Sequence, residues 1–96
     1  MKILAIERET AVVSPEAFRP HLAAEAARAW ELYQAGTIRE LYFRQADHCA
    51  VLMLECADAQ EARQALDTLP RVREGLIDFD IIPLLPYTGF ARLFAA

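Results

Sequence analysis

Between Ile38 and Glu55 the sequence IRELYFRQADHCAVLMLE alternates twice, once before and once after a polar break, and this double alternation constrains the fold more than any other feature. A period of two marks a strand with two unlike faces, and two such runs joined by a short polar link read as a β-hairpin. A loop of two residues (Ala46 and Asp47) or of four (Gln45 to His48) gives the same register, with Arg44 opposite Cys49 and Tyr42 opposite Val51. One face then carries Leu41, Phe43, Ala50, Leu52 and Leu54. The other carries Glu40, Tyr42, Arg44, Val51, Met53 and Glu55. The wholly apolar face needs a cover, and the flanking segments supply it.

Upstream, Lys2 to Glu7 (KILAIE) is a β-rich run, and Ser14-Pro15 opens a helix with Ser as cap and Pro as first residue. Pro20 would clash inside a helix, so the sequence predicts a first turn over residues 15–19 and a main helix from about Pro20 to Ala35, closed by Gly36. Phe18, Leu22, Ala26, Trp30 and Tyr33 recur at helical spacing and form its expected buried stripe. Downstream, Asp58 with Glu61 makes a capping-box-like start. Ala62, Ala65, Leu66 and Leu69 continue that second helix to Pro70, and LIDFDIIPLL reads as a last strand. The order β-α-β-β-α-β is the α+β ferredoxin-like plan, a four-stranded antiparallel sheet with two helices on one face. Alternation predicts Leu4, Ile6, Ile77, Phe79 and Ile81 toward the helices, and Ile3, Ala5, Glu7, Asp78, Asp80 and Ile82 on the far face. Residues 1–96 make a single domain, with a C-terminal extension from about residue 86 in which Phe90, Leu93 and Phe94 recur at helical spacing.

Fourteen acids against ten Lys and Arg give a net charge of −4, which argues against nucleic acid. No segment approaches the roughly 20 apolar residues of a membrane span, and charges from Glu7 onward come too early for a signal peptide, so the expected location is cytoplasmic. Cys49 and Cys56 fall on opposite faces of one strand about 23 Å apart, too far to bridge. Together with His21 and His48 they match no metal-ligand spacing, and no metal is expected. His21 reads as a helix-surface partner of Glu25.

Apolar residues make up 55% of the chain, more than one core of this size requires. The far sheet face keeps Ile3, Ala5, Val51, Met53 and Ile82 among its charges, a pattern that marks association. A second copy placed face to face by a two-fold axis would close a barrel around the Glu, Tyr and Arg side chains. The stretch ELYQAGTIR (Glu31 to Arg39) fits Glu-Leu-x-x-x-Gly-x-x-Arg, and LDTLP (Leu66 to Pro70) fits Leu-x-x-Leu-Pro, in the same order and at similar separation as in muconolactone isomerases. In these motifs and its element order the chain resembles that family. It departs from it after Leu-Pro, where RVREG lengthens the loop, and in the tail PYTGFARLF.

The resemblance implies a dimeric α+β barrel, as a homodimer or a higher homo-oligomer, and a cofactor-independent proton shift on an unsaturated lactone or related small carboxylic acid. Such chemistry needs a base, an acid and a cation for the carboxylate. The expected catalytic residues are Glu40, Tyr42, His48 and Glu55, with Arg44, Arg39 and Glu7 on the substrate. A cofactor-free monooxygenase with an aromatic-lined pocket, or a non-catalytic ligand-binding module, fits the same fold.

Overall fold

The computed structural model describes residues 1–10 and 14–94. Strand β1 (Lys2–Glu9) leads to a single turn, α1 (Pro15–Phe18), then a 3-10 turn (Arg19–His21) and α2 (Leu22–Gln34). Pro20 lacks an N–H and sits in the 3-10 turn, so the helical run is split there as expected. Gly36, at φ +82°, ends α2, with the Thr37 N–H bonded to Leu32 O at 3.0 Å across the reversal. The hairpin follows as β2 (Ile38–Phe43) and β3 (Ala50–Glu55). Its loop is the four-residue form: Arg44 N–H bonds Cys49 O at 2.8 Å, and His48 takes the left-handed φ of +61°.

Asp58 caps α3 (Ala59–Leu66) by accepting from Glu61 N at 2.8 Å, while the Glu61 carboxylate accepts from Ala57 N. RVREG is not simply a longer loop. Pro70 starts a further turn, α4 (Pro70–Arg73), and Gly75 at φ +74° redirects the chain into β4 (Ile77–Pro83). The sheet is antiparallel with order β2-β3-β1-β4, the ferredoxin-like arrangement expected from the element order.

Two phase assignments differ from those expected. Ile3 pairs with Leu54 and Ala5 with Leu52, and directly opposed residues share a face, so Ile3, Ala5 and Glu7 turn toward the helices. Leu4, Ile6 and Arg8 join Val51, Met53 and Ile82 on the open face. The run KILAIE is apolar at both parities, so alternation alone could not choose between them. Helix α2 is likewise rotated by roughly a quarter of a turn: Leu32 is buried and Ala29 packs on the core, whereas Leu22, Trp30 and Tyr33 are exposed. Ala and large apolar residues occupy most of LAAEAARAWELYQ, and the tertiary contacts select the narrower side. The core beneath is centred on Ile3, Ile38, Leu54, Leu66 and Ile77.

Asp78 and Asp80 are held by arginines. Arg63 Nη1 donates to Asp78 Oδ1 at 2.6 Å, and Arg8 bridges Asp78 and Asp80 at 3.2 and 2.9 Å. Partial burial opposes ionisation of Asp78. The Arg63 hydrogen bond, the Phe79 N–H and the two guanidinium charges outweigh it and hold the carboxyl below its usual range. A depressed folded-state pKa contributes stability that is present above the unfolded value, near 4, and is lost as pH falls through the folded one. Melting temperature should therefore drop in acid below about pH 4, and Asp78→Asn should flatten that limb; an identical acid limb in the variant would place the titration elsewhere.

Beyond Pro83 the chain leaves the body. The radius of gyration is 15.8 Å and the longest extent 61 Å, against roughly 12–13 Å for a compact chain of this length.

Candidate functional site

With α2 rotated, its Leu22–Ala29 side stands off the outer part of the sheet, and a cleft of ≈ 480 Å³ opens between that helix and edge strand β2. Its walls are apolar: Leu41 and Phe43 from β2, Leu52 from β3, Leu69 ahead of α4 and Phe79 from β4. Three polar side chains meet it, Glu25, Arg71 and His48. An apolar concavity with a few convergent polar groups is the common form of a small-molecule site.

Arg71 is the centre of its polar end. Its backbone N–H and Nε donate to the two Glu25 oxygens at 3.0 Å each, and Nη2 reaches Glu7 Oε1 at 3.4 Å from behind. The same Glu7 oxygen accepts Ala50 N–H at 3.2 Å. Side-chain exposures of 17% for Arg71, 12% for Glu25 and 9% for Glu7 put this network out of bulk water, where charges persist only when paired. The guanidinium also lies 5.9 Å from the centroid of the Phe18 ring. Among the described residues Arg71 Nη1 takes no protein acceptor, so one arm of the fork is left for a ligand oxygen.

The expected site residues are distributed unevenly around this cleft. His48 lies at its mouth, stacked on Phe43 with ring centroids 4.0 Å apart. Tyr42 borders it through edge strand β2, but it opposes Val51 and so carries its side chain on the open sheet face, where the hydroxyl donates to Glu40 Oε1 at 2.8 Å. That hydrogen bond, with the Glu40 charge, raises the phenol above its ordinary pKa near 10, so Tyr42 stays protonated at neutral pH. Glu7 stands behind Arg71 on the helix-facing side, not on the open face. Glu55 is remote and pairs with the Met1 α-amino group at 3.3 Å. Arg44 pairs within the hairpin loop with Asp47 at 3.1 Å. Arg39 donates from Nε to Gly36 O at 2.7 Å and braces the end of α2. His21 does not partner Glu25, whose carboxylate Arg71 occupies.

Neither cysteine is activated. Burial, followed by the Glu7 and Asp47 charges, raises the Cys49 thiol, and burial raises Cys56; both are free. Among the described residues no group of three His, Cys, Asp or Glu is placed to hold a metal, and no helix is long and apolar enough to cross a membrane.

Sequence reading did not find Arg71 and Glu25. The available signal was Glu25 itself, a lone acid inside the apolar run LAAEAARAW, in a position that needs a cation from another element.

Neither a protein-family model nor a curated protein sequence matches the chain significantly. Among solved structures the crystal structure of muconolactone isomerase superposes with a TM-score of 0.75 over 92% of both chains, at 18% identity. The chain has a muconolactone isomerase-like fold. At that identity the likeness establishes the arrangement of strands and helices, including the ferredoxin-like order expected from the hairpin and caps. Function rests on the cleft.

Proposed function

We propose that the protein is a small cofactor-independent isomerase that moves a proton between two carbons of an unsaturated lactone or related small carboxylic acid. The observation that carries this reading is the meeting, in one apolar cleft, of a buried guanidinium whose Nη1 has no protein acceptor among the described residues and an imidazole at the mouth. The roles follow from the chemistry. A carbonyl oxygen hydrogen-bonded to Arg71 Nη1 accumulates negative charge as a C–H proton leaves, and the guanidinium stabilises that enolate. His48 takes the proton from one carbon and returns it to another, so no atom is gained or lost. Glu7 positions Arg71. Muconolactone isomerase, the structural neighbour, bears a name that fits this chemistry.

One observation favours a second reading, a cofactor-free monooxygenase. Glu7 and Glu25 outnumber Arg71 by one charge, and the cleft carries Phe43 and Phe79, a setting that suits a neutral aromatic substrate better than a free acid. The test is a panel of unsaturated lactones and lactone acids in deuterium oxide, read by NMR for exchange and double-bond migration, beside oxygen uptake with hydroxylated aromatics. Exchange without oxygen uptake supports the isomerase. Oxygen uptake replaces it with the oxygenase, and inertness toward both with a binding module.

We further assign the open sheet face, with Leu4, Ile6, Val51, Met53 and Ile82, to a homodimer contact. Met53→Lys should shift the protein toward monomer by light scattering at micromolar concentration, because it sets a charge in an apolar face. Gln64→Lys, exposed on the outer side of α3 and clear of the Glu61 cap, is the neutral comparison.

A further inference from the structure

The geometry points to residues 84–94 as an arm that seats on a second copy of this chain, along the exposed side of its α2 and across the mouth of its cleft. This contact does not depend on which reaction the cleft performs.

The arm is apolar and uncovered. Leu85, Tyr87, Phe90, Leu93 and Phe94 are each between 67% and 84% exposed. It is nonetheless shaped. Gly89 to Leu93 form a 3-10 turn, the Tyr87 and Phe90 rings meet edge to face at 5.0 Å, and Tyr87 folds so closely over Gly89 that any Cβ there would collide with the ring. An ordered array of aromatic side chains facing water is an unpartnered binding element.

Its own cleft is not the partner. The arm leaves β4 at Pro83, opposite Ile3, with Leu84 N–H bonded to Lys2 O at 2.9 Å. The cleft opens at β2, the other edge of the sheet, near Phe43, Ala50 and the far end of β1. Arm and cleft thus start from diagonal corners, and the exposure of the arm's large side chains, with a long axis of 61 Å, fits an arm that runs outward.

A second copy offers a matching surface. Leu22, Ala26, Trp30 and Tyr33 form the exposed stripe on α2, and Leu22 and Ala26 also line the cleft, so stripe and mouth are continuous. Trp30 and Tyr33 stack at 5.7 Å and extend it. Charge agrees as well: the arm carries Arg92 and no acid, whereas Glu7 and Glu25 leave the cleft with one negative charge beyond Arg71. With aromatic side chains burying roughly 150–250 Å² each, an arm covers on the order of 600 Å², and a reciprocal exchange with its receiving surfaces on the order of 2,000 Å², within the range of stable dimers.

The experiment uses full-length chains in a Cys49→Ser background. One carries Leu22→Cys and the other Phe90→Cys; they are mixed, oxidised mildly and run on a non-reducing gel, beside a mixture in which Gln64→Cys on α3 replaces Leu22→Cys. A disulfide-linked heterodimer is expected at least tenfold more abundantly with Leu22→Cys than with Gln64→Cys. Equal yields, or an internal bridge in a chain carrying both Leu22→Cys and Phe90→Cys at every dilution, would overturn the proposal. Trp30, the only tryptophan, gives an independent reading without new cysteines. Its emission should shift to the red on dilution and in a Tyr87→Ser, Phe90→Ser double variant, and an unchanged spectrum in both would equally overturn it.

Discussion

His48→Asn is expected to slow proton exchange into a bound lactone about 10²- to 10⁴-fold, the usual contribution of a positioned acid–base group, while leaving ligand affinity within a few-fold. Asn is the suitable replacement because His48 holds a left-handed φ of +61°, which Asn adopts more readily than most residues, so the hairpin loop should keep its form. The imidazole is lost and the backbone is not. Single-turnover exchange by NMR and calorimetric titration on the same variant separate the two effects. Loss of binding in parallel with exchange would make His48 a stacking contact through Phe43, and full retention of exchange would move the proton to another group.

Arg71→Met should have the largest effect on stability. It removes the one cation that, among the described residues, lies between Glu7 and Glu25, which sit on different elements and are both largely out of water. Breaking such a pair costs roughly 3–5 kcal/mol, because the partners stay buried and uncompensated. For a domain of this length that corresponds to a fall in melting temperature of roughly 15 °C or more. Adding Glu7→Gln should restore part of the loss, since one stranded charge disappears, and the recovery measures the coupling. A fall of less than about 2 °C in the single variant would mean that water screens the network, and Arg71 could then not serve as a fixed anchor.

Parts of the protein were legible in the sequence because their causes are local. The hairpin register follows from two alternations and a short loop, and Tyr42 does pair with Val51. Ser14-Pro15, Pro20, Gly36 and the Asp58 cap mark helix boundaries through backbone chemistry that acts within a few residues. Those signals, placed in order, give the ferredoxin-like plan. His48 and Tyr42 could be singled out from the same hairpin, because its geometry places them at one end of β2. The rest was decided between elements. KILAIE is apolar at both parities, so only pairing with β3 settles that Ile3 and Ala5 face inward and that Glu7 lands behind Arg71. Helix α2 has apolar residues on more than one side, and its rotation is set by Leu32 in the core and by Glu25 reaching Arg71, 46 residues away. That rotation opens the cleft and leaves Leu22, Trp30 and Tyr33 bare. Local patterns fix spacing and turn chemistry; which of two equally apolar faces is buried depends on the free energy of contacts between distant segments, and a single periodic run does not contain that information.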